Sequence, residues 1–178
     1  MSIKTKSYSV ERDPVSLLFG PLSVTMLHQT ELSDAWRINF IANFFTGPLY
    51  GHLQEEFDLS RAGFVILFSL SQSESLVARD ICQVTGLPKN SISRAISDLQ
   101  KRGLVERRIH PVDKRAKPLA LTKQGSALLT DVLPTIKARQ AAMLSPLTKT
   151  EKAQFDELVV KILSAMPQWV PMDSFSER

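Results

Sequence analysis

The chain has a single cysteine, Cys82, among 178 residues. One thiol excludes an intrachain disulfide framework and any multi-cysteine zinc site, and it fits a reducing cytoplasm. His28, His52 and His110 are widely spaced and show no metal-ligand pattern, so neither a metal nor a cofactor is expected. The sequence lacks a glycine-rich phosphate loop, a Gly-x-Ser-x-Gly elbow and a paired-histidine zinc motif, which leaves no signature of an enzyme. It also lacks any apolar run approaching a membrane span. Val15–Leu27 is moderately apolar and follows Lys4, Lys6 and Arg12. However, Gly20-Pro21 interrupts it, Glu11 and Asp13 precede it, and no small-residue cleavage site follows, so it does not read as a signal peptide. There is no internal repeat and no low-complexity tract.

What is present is ordinary in bulk and uneven in distribution. Hydrophobic residues make up 43% and charged residues 22%, typical of a globular domain. The net charge is only +4. Between Arg79 and Lys123, however, eleven Lys or Arg face four Asp or Glu, so the rest of the chain is net acidic. Positive charge gathered in one segment is what a phosphate-binding surface requires.

Residues 1–30 form an extension punctuated by Pro14 and Pro21, with the first dozen residues expected to be mobile and Val15–Leu27 expected as a strap or short helix. Ser33 or Asp34 can cap a helix. Beyond it Trp36, Phe40 and Phe44 recur every four residues, with Ile41 and Phe45 alongside, as a wide apolar stripe. Gly47-Pro48 predicts a kink or break, after which Leu49, Leu53 and Phe57 resume the pattern. Asp58-Leu59-Ser60 offers a second cap, with Ser60 before the apolar segment Phe64–Leu70, and the polar Ser69–Ser75 reads as a loop.

The segment Leu76–Gly125 carries the organisation. Leu76–Val84 is a short helix with Leu76, Val77, Ile81 and Val84 as its expected buried side, ended by Gly86. Leu87-Pro88 makes a turn. The next helix, Lys89–Lys101, buries Ile92, Ala95, Ile96 and Leu99, and Gly103 ends it. Leu104–Ile109 and Pro118–Leu121 read as paired strands around a charged tip, His110–Lys117. Thr122 caps a long helix to about Met143, with Ala127, Leu128, Val132, Ile136 and Met143 as its apolar set and a kink expected at Pro134. Thr148 and Glu151 stand in capping-box spacing before a last helix, whose stripe is Phe155, Leu158, Val159, Ile162 and Leu163. The fold class is therefore mainly α with a small β-hairpin wing. A winged helix-turn-helix lobe occupies 58–122, helical regions occupy 31–57 and 123–166, and 167–178 form a tail.

A helix that enters a DNA groove needs one side anchored and the other showing cations and short polar groups. Lys89, Asn90, Ser91, Ser93, Arg94, Ser97 and Lys101 supply the second side. Arg can bind guanine bidentately, Asn can bind adenine, and Ser can bind bases or phosphate. A merely solvated helix face is usually richer in Glu and Lys, whereas this one has no acid before Asp98. At the hairpin tip, Asp113, Lys114, Arg115 and Lys117 place cations where a loop reaches the backbone or minor groove.

Three stretches carry a family resemblance. They are Leu87-Pro88-Lys89-Asn90-Ser91-Ile92-Ser93-Arg94, then Leu99-Gln100-Lys101-Arg102-Gly103-Leu104-Val105-Glu106-Arg107, then Asp113-Lys114-Arg115-Ala116-Lys117-Pro118-Leu119-Ala120-Leu121-Thr122-Lys123-Gln124-Gly125. Together they resemble the multiple antibiotic resistance regulator (MarR) family of winged-helix transcription factors, over roughly residues 32–166. The resemblance implies a cytoplasmic homodimer paired through helices at 32–57 and 123–166, bound to a near-palindromic operator in double-stranded DNA, with no membrane partner. By position, Ser91, Ser93 and Arg94 would lie in the major groove and Arg115 at the minor groove, with Asp113 holding the wing arginine. Many relatives are repressors released by small aromatic or phenolic anions bound between the dimer and DNA lobes. Trp36, Phe40, Phe44, Phe64 and Phe68 are candidates to line such a site, with Arg37 or His52 meeting the anion; core packing is the plainer role for these rings. The chain departs from the family pattern in its long N-terminal segment, in Gly47-Pro48, and in Pro88 and Pro118, all of which bear on the ligand site. Cys82 reads as a buried structural thiol, although a redox-responsive regulator is an alternative. A second is a winged helix whose basic face meets an acidic protein partner.

Overall fold

A computed structural model describes residues 13–73, 76–108 and 118–170. They form two compact units, one up to Pro48 and one from Leu49.

In the first unit a capping aspartate and two prolines start the helices. Asp13 Oδ1 accepts from the backbone N–H of Val15 (2.8 Å) and Ser16 (3.4 Å). Pro14 then opens α1 (Pro14–Phe19), where its missing N–H has no helical partner to lose. Gly20, at φ +81°, turns the chain into α2 (Pro21–His28). The expected strap is thus two short helices around a glycine corner. Arg37 Nε donates to the Leu27 carbonyl at 2.8 Å and its Nη1 pairs with Asp34 at 2.9 Å, fastening the end of α2 to α3 (Ser33–Phe57). Ser33 is already the first helical residue, so neither Ser33 nor Asp34 stands at the expected cap position. α3 is continuous over 25 residues through Pro48. The break expected at Gly47-Pro48 does not occur, because a helix this long carries the loss of one ladder bond on the turns either side.

In the second unit Leu49 and Leu53, on the last turns of α3, are buried. Ser60 caps α4 (Arg61–Gln72) by accepting from Gly63 N at 3.1 Å. With no Gly or Pro to stop it and Leu70 buried, α4 runs through Gln72 into the stretch expected as loop. α5 (Ala78–Thr85) starts two residues later than expected. Leu76 instead bridges to Leu119, whose N–H donates to the Leu76 carbonyl at 2.9 Å. Asp80 caps α5 from within by accepting from Val77 N at 3.0 Å. Only Ile81 of α5 is buried; Val84 is 71% exposed, contrary to its expected inward place, because this short helix presents a strip one side chain wide to the core.

α6 (Lys89–Lys101) has the expected bounds. β1 (Val105–Arg107) and β2 (Leu119–Leu121) pair antiparallel with Val105 opposite Leu121 and Arg107 opposite Leu119. α7 (Lys123–Leu144) runs through Pro134 and buries Gly125, Leu129 and Val132. Of the apolar set read from the sequence, Val132 is buried, whereas Ala127 and Met143 are exposed. α8 (Lys149–Ser164) opens with the expected capping box: Thr148 N donates to Glu151 Oε2 at 2.8 Å and Glu151 N to Thr148 Oγ1 at 3.2 Å. Its apolar stripe is uncovered in a single chain, with Leu158 62% and Leu163 55% exposed. A final turn, α9 (Met166–Trp169), follows.

One corner fixes where α7 starts and how it is rotated. Thr122 Oγ1 accepts from Gly125 N at 3.0 Å and donates to the Gly103 carbonyl at 2.7 Å, while Thr122 N donates to the Leu104 carbonyl at 3.2 Å. Gly125 lies so close to the Leu104 carbonyl that a Cβ would overlap it. The close approach turns the Gly125–Leu129–Val132 side of α7 inward, and this is why the buried stripe is offset from the expected one. Gly125→Ala is expected to destabilise the protein by about 2 kcal/mol or more, seen as a fall in Tm of roughly 4 °C or more by circular dichroism. Gly47→Ala, where an added Cβ meets nothing within 4 Å, is expected to be neutral or to stabilise by up to about 1 kcal/mol. Equal effects of the two substitutions would contradict the proposed seat.

Candidate nucleic-acid interface

α6 is two-sided. Ile92, Ile96 and Leu99 are 0%, 2% and 1% exposed, and Ala95 is buried beside them. Leu99 packs next to Gly63 of α4. On the opposite side Lys89, Asn90, Ser91, Ser93, Arg94, Ser97 and Lys101 are all exposed. The structure thus brings together on one helix face every residue of α6 predicted to meet DNA. Pro88 stands at the cap position and offers no side-chain acceptor; its carbonyl takes Ser91 N at 3.0 Å and Ile92 N at 3.1 Å. The N-terminal end of α6 therefore carries the positive pole of the helix and no acidic side chain, which favours an anion nearby. The single acid of α6, Asp98, lies 3.5 Å from Arg102 on the following turn.

The hairpin adds cations beside this face. Arg107 Nε donates to Gln100 Oε1 at 3.3 Å, joining the wing to α6, and Arg108 pairs with Glu106 at 3.2 Å. Leu119 and Ala120 anchor β2 in the core. Asp113, Lys114, Arg115 and Lys117 lie outside the described residues. Arg107 and Arg108 were not singled out from sequence, although a Glu-Arg-Arg run leaving a strand beside a basic helix is a usable signal.

The effector candidates divide between the two units. In the first, the rings of Phe40 and Phe44 meet at a tilt of 46° with centroids 4.5 Å apart, and Phe19 joins them at 5.1 and 4.4 Å. Trp36 is 37% exposed, and Arg37 is held by Leu27 and Asp34. In the second, Phe64 stacks on Phe68 at 5.8 Å and meets Tyr50 at 6.3 Å, with Arg61 lying 5.5 Å above the Tyr50 ring. His52 meets Phe57 edge-on at 6.4 Å. Tyr50 and Arg61 were not recognised from sequence. An open groove of about 520 Å³ lies elsewhere in the second unit, between Arg102, Leu104, Gln124, Ala127, Leu128 and Asp131, and none of the predicted effector residues lines it. Among the described residues no three His, Cys, Asp or Glu side chains converge as metal ligands, and no helix is long and apolar enough to cross a membrane.

Two helices joined by a tight turn, then a hairpin packed against the second of them, define a winged helix-turn-helix. Residues 57–116 match the model of the MarR family. The transcriptional repressor MprA of Escherichia coli K12 is 32% identical over 107 residues, which are 59% of this chain and 61% of that protein. A MarR/EmrR family transcriptional regulator from Acinetobacter sp. ADP1 superposes with a TM-score of 0.68 at 24% identity, over 76% of this chain and 95% of that one. PcaV of Streptomyces coelicolor, solved with its natural ligand, does so with a TM-score of 0.60 at 22% identity, over 78% of this chain and 95% of that one. The winged helix-turn-helix of this chain is therefore similar in sequence and in fold to MarR-family regulators.

Cys82, on α5, is half-buried. Desolvation pushes its thiol pKa up, against smaller opposing effects of its backbone hydrogen bond and the charge of Lys89. A raised thiol pKa leaves little thiolate at neutral pH. Alkylation by iodoacetamide is therefore expected to be slow at pH 7 and to rise about tenfold per pH unit up to pH 9. Fast alkylation at pH 7 that levels off below pH 8 would show an activated thiolate instead.

Proposed function

We propose that this chain is a sequence-specific DNA-binding transcriptional regulator, acting in the cytoplasm as a homodimer and as a repressor relieved by a small aromatic ligand. The observation that carries the proposal is the two-sided α6: an apolar side sunk in the core, and an outer face of Lys89, Asn90, Ser91, Ser93, Arg94, Ser97 and Lys101 that has no acid before the exposed Asp98 near its end. Ser91, Ser93 and Arg94 meet base edges, Lys89 and Lys101 meet phosphates, and Arg115 with Lys114 and Lys117 of the wing reaches the flanking groove, positioned by Asp113. MprA, the E. coli relative, is a transcriptional repressor, which supports the direction of control.

The dimer is supported by the uncovered stripe of α8, where Phe155, Leu158, Ile162 and Leu163 are between 43% and 62% exposed. Helices within 31–57 and 123–166 would set the distance between two α6 faces, which must match successive major grooves about 34 Å apart. A ligand then acts only by favouring a dimer geometry that misfits this spacing. The ligand-bound PcaV structure supports a small-molecule effector. The ring clusters around Phe40 and Phe44 and around Phe64 and Phe68, with Trp36, Arg37 and His52, are the candidate contacts.

A redox switch through Cys82 is disfavoured by its raised pKa. A protein-binding winged helix differs from the proposal in salt response: phosphate contacts give a steep negative slope of log K against log salt. On a duplex selected from a random pool, Arg94→Ala and Arg115→Ala are each expected to weaken binding by about 1–3 kcal/mol at fixed salt, measured by fluorescence anisotropy. Size-exclusion elution of the dimer should be unchanged. Unchanged affinity in both variants would remove these roles, and a flat salt dependence of the wild type would favour a protein partner.

A further inference from the structure

Arg102 follows α6 directly and is not part of the exposed face, its side chain being 26% exposed against 88% for Arg79. Both terminal nitrogens of its guanidinium are occupied. Nη1 donates to the Asp58 carbonyl and Nη2 to the Phe57 carbonyl at 3.1 Å. The Asp58 carboxylate is 3.7 Å and the Asp98 carboxylate 3.5 Å away. The two carbonyls belong to the C-terminal end of α3. There Asp58 takes a left-handed conformation, φ +48°, and Leu59 N donates back to the Leu53 carbonyl at 3.1 Å. The last carbonyls of a helix have no donors within it and carry its negative pole. Arg102 supplies those donors from the end of another helix, 44 and 45 residues on in sequence. Its flat fork suits two adjacent acceptors, as a lysine ammonium does not.

Resting on the DNA-binding proposal above, we infer that Arg102 is a positioning residue. It pins the C-terminal end of α6 to the C-terminal end of α3, and so sets the tilt at which the exposed face of α6 meets DNA. Core burial holds α6 in the domain, but Ile92, Ala95, Ile96 and Leu99 form a narrow stripe about which a helix can rock. The Arg102 fork removes that freedom at one end. Its Nη1 and Nη2 donate to protein oxygens at the end of α3, so the role inferred for it needs no contact with DNA. Movement of α3 would reach α6 through this fork.

The role has consequences that a phosphate contact or simple stabilisation would not share. Anisotropy is measured for wild type, Arg102→Ala and Arg102→Lys on the duplex selected by wild type and on a scrambled duplex of equal length, across a salt series. The expected result is a loss of about tenfold or more on the selected duplex for both variants, a change of less than about twofold on the scrambled duplex, and an unchanged salt slope. A phosphate contact would instead lower both affinities, reduce the slope by about one, and be rescued by lysine. That pattern overturns the inference, as does unchanged discrimination in both variants. Amide hydrogen exchange on the free protein gives a readout without DNA. Faster exchange in both variants at Leu59 and in residues 98–102, with α8 unchanged, is expected; no change there overturns the inference whatever the affinities. A wild type that binds both duplexes weakly and without salt dependence fails the DNA-binding proposal itself, and with it any role for Arg102 in DNA recognition.

Discussion

The burial of one side of α6 is the constraint on which the rest depends. Ile92, Ile96 and Leu99 are almost wholly removed from water, each worth about 1.5–3 kcal/mol relative to exposure, as an upper bound. No surface interaction of the exposed side approaches that sum, because exposed ion pairs contribute about 0–1 kcal/mol. The apolar stripe therefore decides which residues face outward, and the polar face is free to be chosen for a partner. Serines at 91, 93 and 97 make poor surface helix formers compared with Glu, Lys or Ala. Their presence on an otherwise well-specified helix is explained by close approach to a ligand surface better than by stability.

The neighbouring elements add direction to that anchor. Thr122 and Gly125 seat α7 on the corner between α6 and β1, through the carbonyls of Gly103 and Leu104. Arg102, one residue before that corner, reaches the end of α3. The corner is thus shared by the helix proposed to touch DNA and by two helices proposed to touch a second subunit. In such an arrangement a change in subunit geometry need not cross a soft core to alter α6. Backbone carbonyls and a guanidinium carry it instead.

Much of this was legible in the sequence, and what was not has particular causes. α6 was legible to the residue because Pro88 and Gly103 bracket it and its apolar spacing is regular. The caps at Ser60, Thr122 and Thr148 were legible because a side-chain oxygen three residues ahead of an N–H is a local signal. α5 starts later than its apolar pattern suggests because Leu76 is apolar for a reason lying 43 residues away, its bridge to Leu119. The buried side of α7 was misjudged because its rotation follows from the approach of Gly125 to a carbonyl, which hydropathy does not record. Pro48 does not break α3 as its local cost suggests, since one proline does not decide the course of a 25-residue helix. The Arg102 fork was invisible for the plainest reason: its acceptors are backbone atoms, which carry no residue identity.

The exposed face of α6, rather than another surface of the chain, is the one proposed to meet the nucleic acid. A photoreactive residue placed at Ser93 on that face, or at Phe155 on α8, tests it directly. Irradiated with a duplex selected by the wild-type protein, the Ser93 derivative should cross-link to DNA and the Phe155 derivative should not. Cross-linking from Phe155 as strong as from Ser93, or none from Ser93 under conditions where the duplex is bound, would contradict the account.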